Sequence, residues 1–421
     1  MVKLVHVQKH LPSSGNAAHR LHNAFLDAGY ESSMLSLSSD ISGDDKIYSL
    51  SKLYQALSFI DGKILKCLTR KAEKRYGLFS FPVLGIDISK SDQIRNADII
   101  YIHWINGGFL NLKSLRKLAR LGKPVVFFMH DMWTITGGCH HSFTCDKYKN
   151  GCDHCPIFPS RSLIDLSKIE FIKKYKLFSK YENLYFIAPS KWLYSCAQES
   201  LLTKGRTISY IPDLVNNKLY KPFSKSIAKR ILEIEDDRVV ISFGAISVDS
   251  PYKGWSYLRD ALNILQNKLN NKKVLVLIFG SAKNSEIEKS IPFDTRFLGR
   301  LRDDLSSNIV YNAADVFIAP SLAETFGLVI AESLLCGTPV VAFDVGGIPD
   351  LIDHKKNGYL AKYKDSGDLA EGIIYCLENR IEGKLDTFFE PDRIIKMHSS
   401  LIKRIGLGHK SENISKSLNE E

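Results

Sequence analysis

The sequence predicts two α/β domains in tandem, each built on a parallel sheet. Short apolar stretches rich in β-branched and aromatic residues alternate along the chain with longer amphipathic stretches. Strands that are apolar on both faces and separated by helices belong to parallel sheets that helices cover on both sides. The chain of 421 residues is also too long for one ordinary core. The periodicity is lost over residues 208–223, where prolines and asparagines indicate a linker.

The strands fall into two series. The first series comprises Val2–Val7, Ser33–Leu37, Asp98–Trp104, Pro124–Asp131 and Leu184–Ser190, with a helix at Asn16–Ala28. The second comprises Arg238–Gly244, Lys273–Gly280, Thr295–Gly299, Ala314–Ser321 and Pro339–Asp344. We therefore place domains at 1–212 and 213–390, and expect 391–421 to form a helix that packs back and a frayed polar tail from residue 409. Ligands of such sheets gather at the carboxyl ends of the strands, so a cleft between two facing sheets is the expected site.

Composition places the chain among ordinary globular proteins. It has 44% hydrophobic and 24% charged residues, which is typical of that class. No stretch approaches eighteen uninterrupted apolar residues, so the sequence predicts no membrane-spanning helix. The N-terminus has a short apolar run without a small-residue cleavage site and is interpreted as a first strand. We expect a cytoplasmic protein.

Most of the net charge of +11 lies in the first 215 residues. Two stretches, 62–79 and 167–181, interleave lysines and arginines with apolar residues and are interpreted as basic amphipathic helices. Such helices can lie on an anionic membrane surface, but they can equally be solvated faces over an ordinary core. Both interpretations stay open from the sequence. A nucleic-acid partner is not expected, because neither stretch belongs to a recognisable reading motif.

One segment places two glutamates eight positions apart. Glu324 lies in a loop after a predicted strand, and Glu332 lies within the apolar helix that follows Gly327. The start of that helix has unpaired N–H groups and the positive end of the helix dipole, which suit phosphate. Glu332 would lie roughly 7.5 Å along the axis from Gly327. The spacing fits a nucleotide sugar, with a hexose on one side of the diphosphate and a ribose on the other, although on spacing alone both acids can be solvated or capping residues.

The wider segment resembles a known signature. Residues 320–352, "PSLAETFGLVIAESLLCGTPVVAFDVGGIPDLI", are similar to the signature of the retaining GT-B glycosyltransferases of family four: the E-x7-E pair, the Phe-Gly dipeptide before the helix and the Gly-Gly-Ile-Pro of residues 346–349. The resemblance extends over nearly the whole chain. It implies the GT-B fold, in which two Rossmann-like domains face each other across a cleft, and transfer of a hexose from a nucleotide sugar with retention of configuration.

The resemblance also implies roles for individual residues. Glu324 would hold the transferred sugar, the helix start at Phe326, Gly327 and Leu328 would bind the donor and its diphosphate, and Glu332 would bond the ribose. Lys253 in "DSPYKGW" matches the family's phosphate-binding lysine. The arginine that usually precedes this lysine is missing, so Lys253 would carry most of the leaving-group charge, with Arg300 or Arg302 as possible substitutes.

The first domain is expected to add two residues, again by resemblance. Gly15 matches the family's glycine-rich first loop, and His130 in "FFMHDMW" matches a histidine that lies near the sugar. An isolated histidine at a strand end is more often structural, so this role rests on the motif. Catalytic assignments are therefore His130, Lys253 and Glu324, and no metal is required for the chemistry.

The expected reaction joins a UDP- or GDP-sugar to a glycan acceptor, which the family's habits suggest is carried on a membrane lipid. Capsule, O-antigen and exopolysaccharide synthesis are the processes implied, with peripheral contact to the cytoplasmic face of the membrane. Alternatives are a GT-B sugar-nucleotide epimerase and an inactive sugar-binding subunit. The sequence has neither the G-x-G-x-x-G opening of a Rossmann dehydrogenase nor the P-loop of an NTPase.

Four of the eight cysteines are clustered: Cys139, Cys145, Cys152 and Cys155. They could hold a structural zinc ion in a loop spanning 137–156, because disulfides are disfavoured in a reducing cytoplasm and thiolates are soft ligands. Free structural thiols, or a redox or disulfide role, are the alternatives. The other four, Cys67, Cys196, Cys336 and Cys376, are interpreted as small buried residues.

Overall fold

The structure is a computed structural model that describes residues 1–12, 16–70, 72–73, 76–158, 165–244, 250–301 and 303–417, with side chains of the last helix described to residue 406. The chain divides into two compact units. Unit 1 comprises Met1–Leu214 together with Pro391–Glu421, and unit 2 comprises Val215–Glu390. Each unit is described by itself.

Unit 1 contains a parallel sheet of seven strands in the described residues, in the order β3-β2-β1-β4-β5-β6-β7. The strands are β1 (Lys3–Leu11), β2 (Glu31–Ser39), β3 (Ile47–Ser49), β4 (Ile99–Ile102), β5 (Val125–Phe128), β6 (Leu184–Ala188) and β7 (Ile208–Tyr210). The helices are α1 (Ala17–Asp27), α2 (Lys52–Leu68), α3 (Asp92–Asn96), α4 (Leu112–Ala119), α5 (Leu166–Lys180) and α6 (Lys191–Glu199).

Unit 2 contains a parallel sheet of six strands in the described residues, in the order β10-β9-β8-β11-β12-β13. The strands are β8 (Val239–Gly244), β9 (Val274–Phe279), β10 (Asp294–Gly299), β11 (Val316–Ala319), β12 (Val340–Phe343) and β13 (Gly358–Ala361). The helices are α7 (Lys225–Ile231), α8 (Trp255–Lys268), α9 (Ser285–Lys289), α10 (Asp304–Ala313), α11 (Leu328–Leu335) and α12 (Ser366–Glu378). The last helix of the chain, α13 (Pro391–Ser417), belongs to unit 1.

Each sheet is buried on both faces, as its apolar strands predict. In unit 1, alternate residues of β1, β4 and β5 pack into two different clusters, one of which includes α1 and α13. In unit 2, β8, β9 and β11 likewise contribute to two clusters on opposite faces. Ten strands correspond to the ten predicted ones. β3, β7 and β13 were not predicted because three or four residues carry too little periodicity to distinguish a strand from a loop.

The first basic stretch forms a different helix from the one predicted. α2 begins at Lys52, ten residues before the predicted segment begins, and it ends at Leu68. Lys71, Lys74 and Arg75 of the predicted segment lie outside the described residues. α2 contacts the rest of unit 1 at Asp61, whose buried carboxylate accepts hydrogen bonds from two backbone N–H groups of residues 83 and 84. Its exposed apolar residues are Leu53, Phe59, Ile60 and Leu68. Large apolar side chains exposed together on one helix indicate an interaction surface.

The second basic stretch is only partly a solvated face. Lys168, Lys173 and Lys176 of α5 are exposed, but Lys174 is fully buried. Its ammonium donates to the carbonyl oxygens of Trp133 and Thr136 at 2.5 and 3.1 Å. Burial lowers the pKa of Lys174 to about 8, against the opposing carboxylate of Glu170. This lysine therefore anchors the turn after β5, and its assignment to the basic surface is wrong.

The C-terminal segment is helical beyond the predicted limit. α13 continues to Ser417, so residues 409–417 are not the frayed tail expected from their polarity. Ile394, Leu401 and Ile402 of α13 are buried against Leu21 and Phe25 of α1. Within the described part of the chain, none of the helices combines the length and the apolar character needed to cross a membrane.

Candidate functional site in the C-terminal unit

Two of the predicted catalytic residues, Lys253 and Glu324, lie at the carboxyl ends of two neighbouring strands of unit 2. β8 has β9 on one side and β11 on the other, so the strand order reverses there. Lys253 follows β8 and Glu324 follows β11. In open parallel sheets this reversal leaves a crevice at the strand ends in which ligands bind. Residues 245–249, between β8 and Lys253, lie outside the described residues.

Lys253 and Glu324 form an ion pair. The ammonium nitrogen lies 3.0 Å from Oε2 of Glu324, and roughly a quarter of the lysine and a fifth of the glutamate side chain are exposed. Burial works against charge on Lys253, but the carboxylate of Glu324 outweighs it and raises the pKa of Lys253 above its ordinary value. The lysine therefore stays a cation throughout the physiological range and its charge is available to a phosphate.

Two glycines allow this pair to form. Gly254 has φ +65°, and a Cβ there would lie 1.8 Å from the carbonyl oxygen of Pro320. The backbone N–H of Leu322 donates to the carbonyl of Tyr252 at 2.7 Å, which joins the two loops. On the other side, Gly346 has φ +60°, and a Cβ would lie 2.0 Å from the carbonyl oxygen of Glu324. Glycine is needed where backbones approach this closely and φ is positive.

The anion-site prediction concerns the start of α11. Gly327 precedes the helix in a left-handed conformation with φ 100° and gives it no side-chain cap, and Leu328 is the first helical residue. The first N–H groups of a helix have no intrahelical partner and lie at its positive end. Phe326 is different, because its side chain is buried in the core against Phe389. Only its backbone can contribute to binding.

Glu332 is buried inside the unit. It is 5% exposed, and the hydroxyl of Tyr311 in α10 donates to its Oε2 at 3.2 Å. Burial and then the Glu332 carboxylate raise the pKa of Tyr311 well above its ordinary value, so the phenol stays protonated and donates. The hydroxyl of Tyr311 thus helps to hold the carboxylate of Glu332 in a fixed orientation.

Arg300 and Arg302 were the two possible substitutes for the missing arginine, and the structure describes only Arg300. Arg300 directly follows edge strand β10 and is exposed, and no bond from it to Lys253 or Glu324 is found in the described residues. Arg302 lies outside the described residues, as does Gly15 of unit 1. The structure therefore brings Lys253 and Glu324 into contact in unit 2, and it places Gly327 at the start of the next helix, α11, and Glu332 within that helix.

His130 lies in unit 1, two residues after β5, with a fifth of its side chain exposed. Its Nδ1 is 3.6 Å from a carboxylate oxygen of Asp213, and its Nε2 is 2.9 Å from Nδ1 of His103. The ring stacks on Phe128 with centroids 4.8 Å apart. Like Glu324, His130 lies at the carboxyl end of a central strand.

The cysteine cluster does not form a metal site in the described residues, since no three His, Cys, Asp or Glu side chains are arranged to hold an ion there. All eight cysteines are free thiols. Burial raises the pKa of Cys152 to about 12 and raises the pKa of Cys139 further. Cys139 and Cys155 pack with Phe79, Phe158 and Leu166, so the alternative of structural thiols fits the geometry. Cys67 is exposed, which corrects its assignment as a buried residue.

Sequence reasoning missed several residues that shape these sites. Tyr311, His103 and Asp213 each contact a predicted residue from a different element. The position of Gly254 beside Lys253 was visible, but only the structure shows which backbone it contacts. His103 directly follows β4 and His130 follows β5 by two residues, and two histidines at the ends of adjacent strands are the signal that could have revealed His103.

Comparison with known proteins gives one family and several solved structures. Residues 237–379 match the model of a family described as glycosyl transferases group 1. A D-inositol 3-phosphate glycosyltransferase of Saccharomonospora viridis is 33% identical over 195 residues, 43% of each chain. The Anabaena protein HepE, solved with UDP and glucose, has a TM-score of 0.57 at 18% identity over 100% of both chains. WaaG, a glycosyltransferase involved in lipopolysaccharide biosynthesis, has a TM-score of 0.56 at 13% identity over 94% of both chains.

The solved structures, the curated relative and the family match support different conclusions. At their low identities, the solved structures show the fold, and with the two parallel sheets they confirm the predicted GT-B class of two Rossmann-like domains. The match to the curated relative spans less than half of that protein's length. Residues 237–379, which contain Lys253, Glu324 and Glu332, carry the group 1 glycosyltransferase sequence pattern.

Proposed function

We propose that this protein is a retaining glycosyltransferase that moves a hexose from a nucleotide sugar to a glycan acceptor. The observation that carries the proposal is the Lys253–Glu324 ion pair at the strand-order reversal of unit 2, within the segment that matches the group 1 glycosyltransferases. A diphosphate and a polyhydroxylated sugar can bind together where a cation, a carboxylate and the positive end of a helix lie at the carboxyl ends of the strands.

The donor would bind as follows. The first N–H groups of α11 receive the diphosphate next to Gly327, which lacks a side chain to obstruct it. Glu332, oriented by Tyr311, accepts hydrogen bonds from ribose hydroxyls. Glu324 accepts hydrogen bonds from the hydroxyls of the transferred sugar, while Lys253 turns from it toward phosphate oxygens. HepE, solved with UDP and glucose, supports a uridine nucleotide as the first donor to test.

The chemistry would need no enzymic nucleophile. The acceptor hydroxyl oxygen bonds to the anomeric carbon on the face from which the diphosphate leaves, as the bond between that carbon and the phosphate oxygen breaks. The departing phosphate oxygen takes the hydroxyl proton. Lys253 and the helix amides stabilise the negative charge that grows on the diphosphate, a preorganised contribution of several kcal/mol.

We propose an acceptor carried on a membrane lipid, as in capsule, O-antigen or exopolysaccharide synthesis at the cytoplasmic face of the membrane. Support comes from the excess of positive charge in the first half of the chain, from the exposed apolar residues of α2, and from the fold shared with WaaG. The curated relative favours a second acceptor class, because its name specifies D-inositol 3-phosphate. A soluble inositol phosphate is therefore the alternative acceptor.

A panel of UDP- and GDP-sugars tests the donor, with hydrolysis and thermal shift as readouts and the anomeric configuration of any product as the test of retention. We expect one nucleotide to stabilise the protein and one sugar to turn over. In Glu324→Ala, sugar discrimination should disappear while nucleotide binding partly remains. Glu371→Ala is the matched control, because Glu371 is an exposed, ion-paired glutamate of the same unit. Equal turnover in both variants would refute the role of Glu324.

The acceptor is tested separately, with a lipid-linked glycan and with inositol phosphate as the two substrates. Transfer to the glycan supports the proposal, and transfer to inositol phosphate alone supports the alternative.

A further inference from the structure

Three histidines from three adjacent strands of unit 1 form a continuous hydrogen-bonded chain. His6 lies in β1, His103 directly follows β4 and His130 follows β5 by two residues. Nδ1 of His6 is 3.0 Å from Nε2 of His103, and Nδ1 of His103 is 2.9 Å from Nε2 of His130. Successive rings are stacked, with centroids 5.3 and 5.2 Å apart. His103, the middle residue, therefore uses one ring nitrogen toward His6 and the other toward His130.

The two ends of the chain fix the direction of its hydrogen bonds. At one end, the carboxylate of Asp213 is 3.6 Å from Nδ1 of His130 and favours an N–H there over a lone pair. At the other end, Nε2 of His6 is buried and has no hydrogen-bond partner in the described part of the chain. A bare lone pair at such a position costs less than a buried N–H without an acceptor. Both ends thus favour the same order: His6 donates to His103, and His103 donates to His130.

The surroundings keep His6 and His103 neutral. His6 packs among Phe25 and Tyr101, and His22 and His398 are the other titratable groups that face it. Burial, with smaller contributions from these histidines, lowers the pKa of His6 well below its ordinary value, and burial with His130 does the same to His103. Neutral imidazole carries one proton, so each ring donates with one nitrogen and accepts with the other.

We infer that His103, supported by His6, is a positioning residue that holds His130 in a single tautomer, with Nε2 occupied and Nδ1–H offered beside Asp213. The inference rests on the proposed function and on the resemblance, which assigns His130 a role near the sugar. In that role His130 would be a hydrogen-bond donor, so its partner would be a hydroxyl oxygen, and it would not take the proton of the acceptor hydroxyl.

The chain also occupies Nε2 of His130. A hydrogen on that nitrogen would require His103 to accept instead of donate, and His6 to accept in turn. The hydrogen of His6 would then lie on its Nε2, where the described residues provide no acceptor. The geometry therefore leaves Nε2 of His130 as the acceptor of the hydrogen bond from His103 and not as the general base of the reaction.

The tautomer is measured directly by NMR of the protein labelled with ¹⁵N in its histidine rings, with His130→Asn to assign the signal. We expect a protonated Nδ1 and an unprotonated, hydrogen-bonded Nε2 on His130 in the wild type. His103→Phe removes the donor, so the Nε2 signal should lose its hydrogen-bond shift. His103→Asn places an amide N–H where Nδ1 of His103 lies, and should restore most of that shift. His154→Asn is the control, because that side chain is exposed and distant in sequence.

Activity provides the second readout. With the donor identified by the nucleotide-sugar panel, His103→Phe should lower kcat/KM about tenfold, the equivalent of one hydrogen bond, and His103→Asn should recover most of it. A protonated Nε2 on His130 in the wild type overturns the inference even if no variant folds. So do wild-type kinetics in a folded His103→Phe protein. Failure of every nucleotide sugar refutes the proposed function instead, and leaves the tautomer measurement standing.

Discussion

Lys253 and Glu324 are 71 positions apart in the chain, yet their side chains lie 3.0 Å apart at the carboxyl ends of adjacent strands. Each charge compensates the other while no donor is bound. In the proposed function, a diphosphate would bring negative charge next to Glu324 and would draw the lysine toward it. The transferred sugar would then face the carboxylate of Glu324 and the diphosphate would face the ammonium of Lys253.

Removing the lysine should disable transfer. In Lys253→Met the leaving diphosphate loses the cation that stabilises its charge, so we expect kcat with the best donor to fall about 10²–10³-fold. Steady-state kinetics measure the effect. Lys273→Met is the control, since Lys273 pairs with exposed carboxylates on the surface of the same unit. A decrease of less than threefold in Lys253→Met would show that another group carries the charge.

The close approach at Gly254 predicts a strong effect of the smallest substitution. Alanine would place its Cβ 1.8 Å from the carbonyl oxygen of Pro320, at a positive φ. We expect Gly254→Ala to destabilise unit 2 by about 1–3 kcal/mol and to abolish the nucleotide-induced thermal shift. Gly62→Ala in α2, where nothing lies near the added methyl, should not destabilise the protein. Wild-type nucleotide binding in Gly254→Ala would mean that the two loops are not held as described.

Acid should destabilise unit 1 through its buried histidines. Burial lowers the pKa of His398 to about 3 and that of His22 to about 4, whereas an unfolded histidine titrates near 6.5. As the pH falls below about 6.5, the unfolded chain takes up protons that the folded protein cannot, so stability is lost down to the folded pKa values, by about 1.4 kcal/mol per pH unit for each histidine. Urea unfolding between pH 8 and 5 measures the slope.

His22→Asn should reduce that slope, because the amide can keep a bond to Ser32, the present partner of His22, without titrating. His154→Asn should leave it unchanged, since this side chain is solvent-exposed. Identical slopes in the wild type and His22→Asn would show that His22 does not contribute.

The thiols should differ sharply in reactivity. Alkylation requires a thiolate, and burial raises the pKa values of Cys139, Cys152 and Cys155. We expect exposed Cys67 to react in a fast phase at pH 8 that Cys67→Ser diminishes, and Cys139, Cys152 and Cys155 to react only on unfolding. Metal analysis should find no stoichiometric zinc. One zinc ion per chain, lost in Cys152→Ser, would restore the metal-site hypothesis.

The exposed apolar residues of α2 predict binding to anionic membranes. Replacing Leu53 and Ile60 with glutamine should weaken flotation with phosphatidylglycerol vesicles roughly tenfold or more, since apolar area is lost from the contact. The matched pair is Ile227→Gln with Ile231→Gln, two exposed isoleucines of α7 in the other unit. Equal binding of the wild type to neutral and anionic vesicles would remove the electrostatic part of the argument.

The sequence predicted correctly those strands that form a continuous apolar run. β1 and β11 are apolar runs bounded by polar residues, and their existence and type were correct. The start of α2 was not, because Lys52 to Asp61 carries weaker charge patterning than the basic stretch that follows. β13 was missed because a four-residue strand depends on its neighbour β12 for hydrogen bonds rather than on its own periodicity.

The residues discussed for the sites likewise divide into those that a local motif predicts and those that depend on long-range contacts. Glu324, Gly327 and Glu332 belong to one local motif. Their proximity along the chain follows from a short loop and the helix α11 that comes after it. Lys174 shows the limit, because a lysine on an amphipathic helix is expected in solvent and only the carbonyl groups of Trp133 and Thr136 explain its burial. The histidine chain joins residues 6, 103 and 130, and long-range pairing of that kind has no local signal.

The division of the chain has a practical consequence for dissection of the molecule. Unit 2 is one uninterrupted stretch, whereas unit 1 is completed by Pro391–Ser417, whose Ile394 and Leu401 fill its interior. The stretch from Val215 to Glu390 can therefore be excised as a single gene fragment for crystallisation or calorimetry. The remainder can be obtained only by splicing residue 214 to residue 391 through a short artificial connector, and a simple stop codon at the first boundary would leave its hydrophobic interior open.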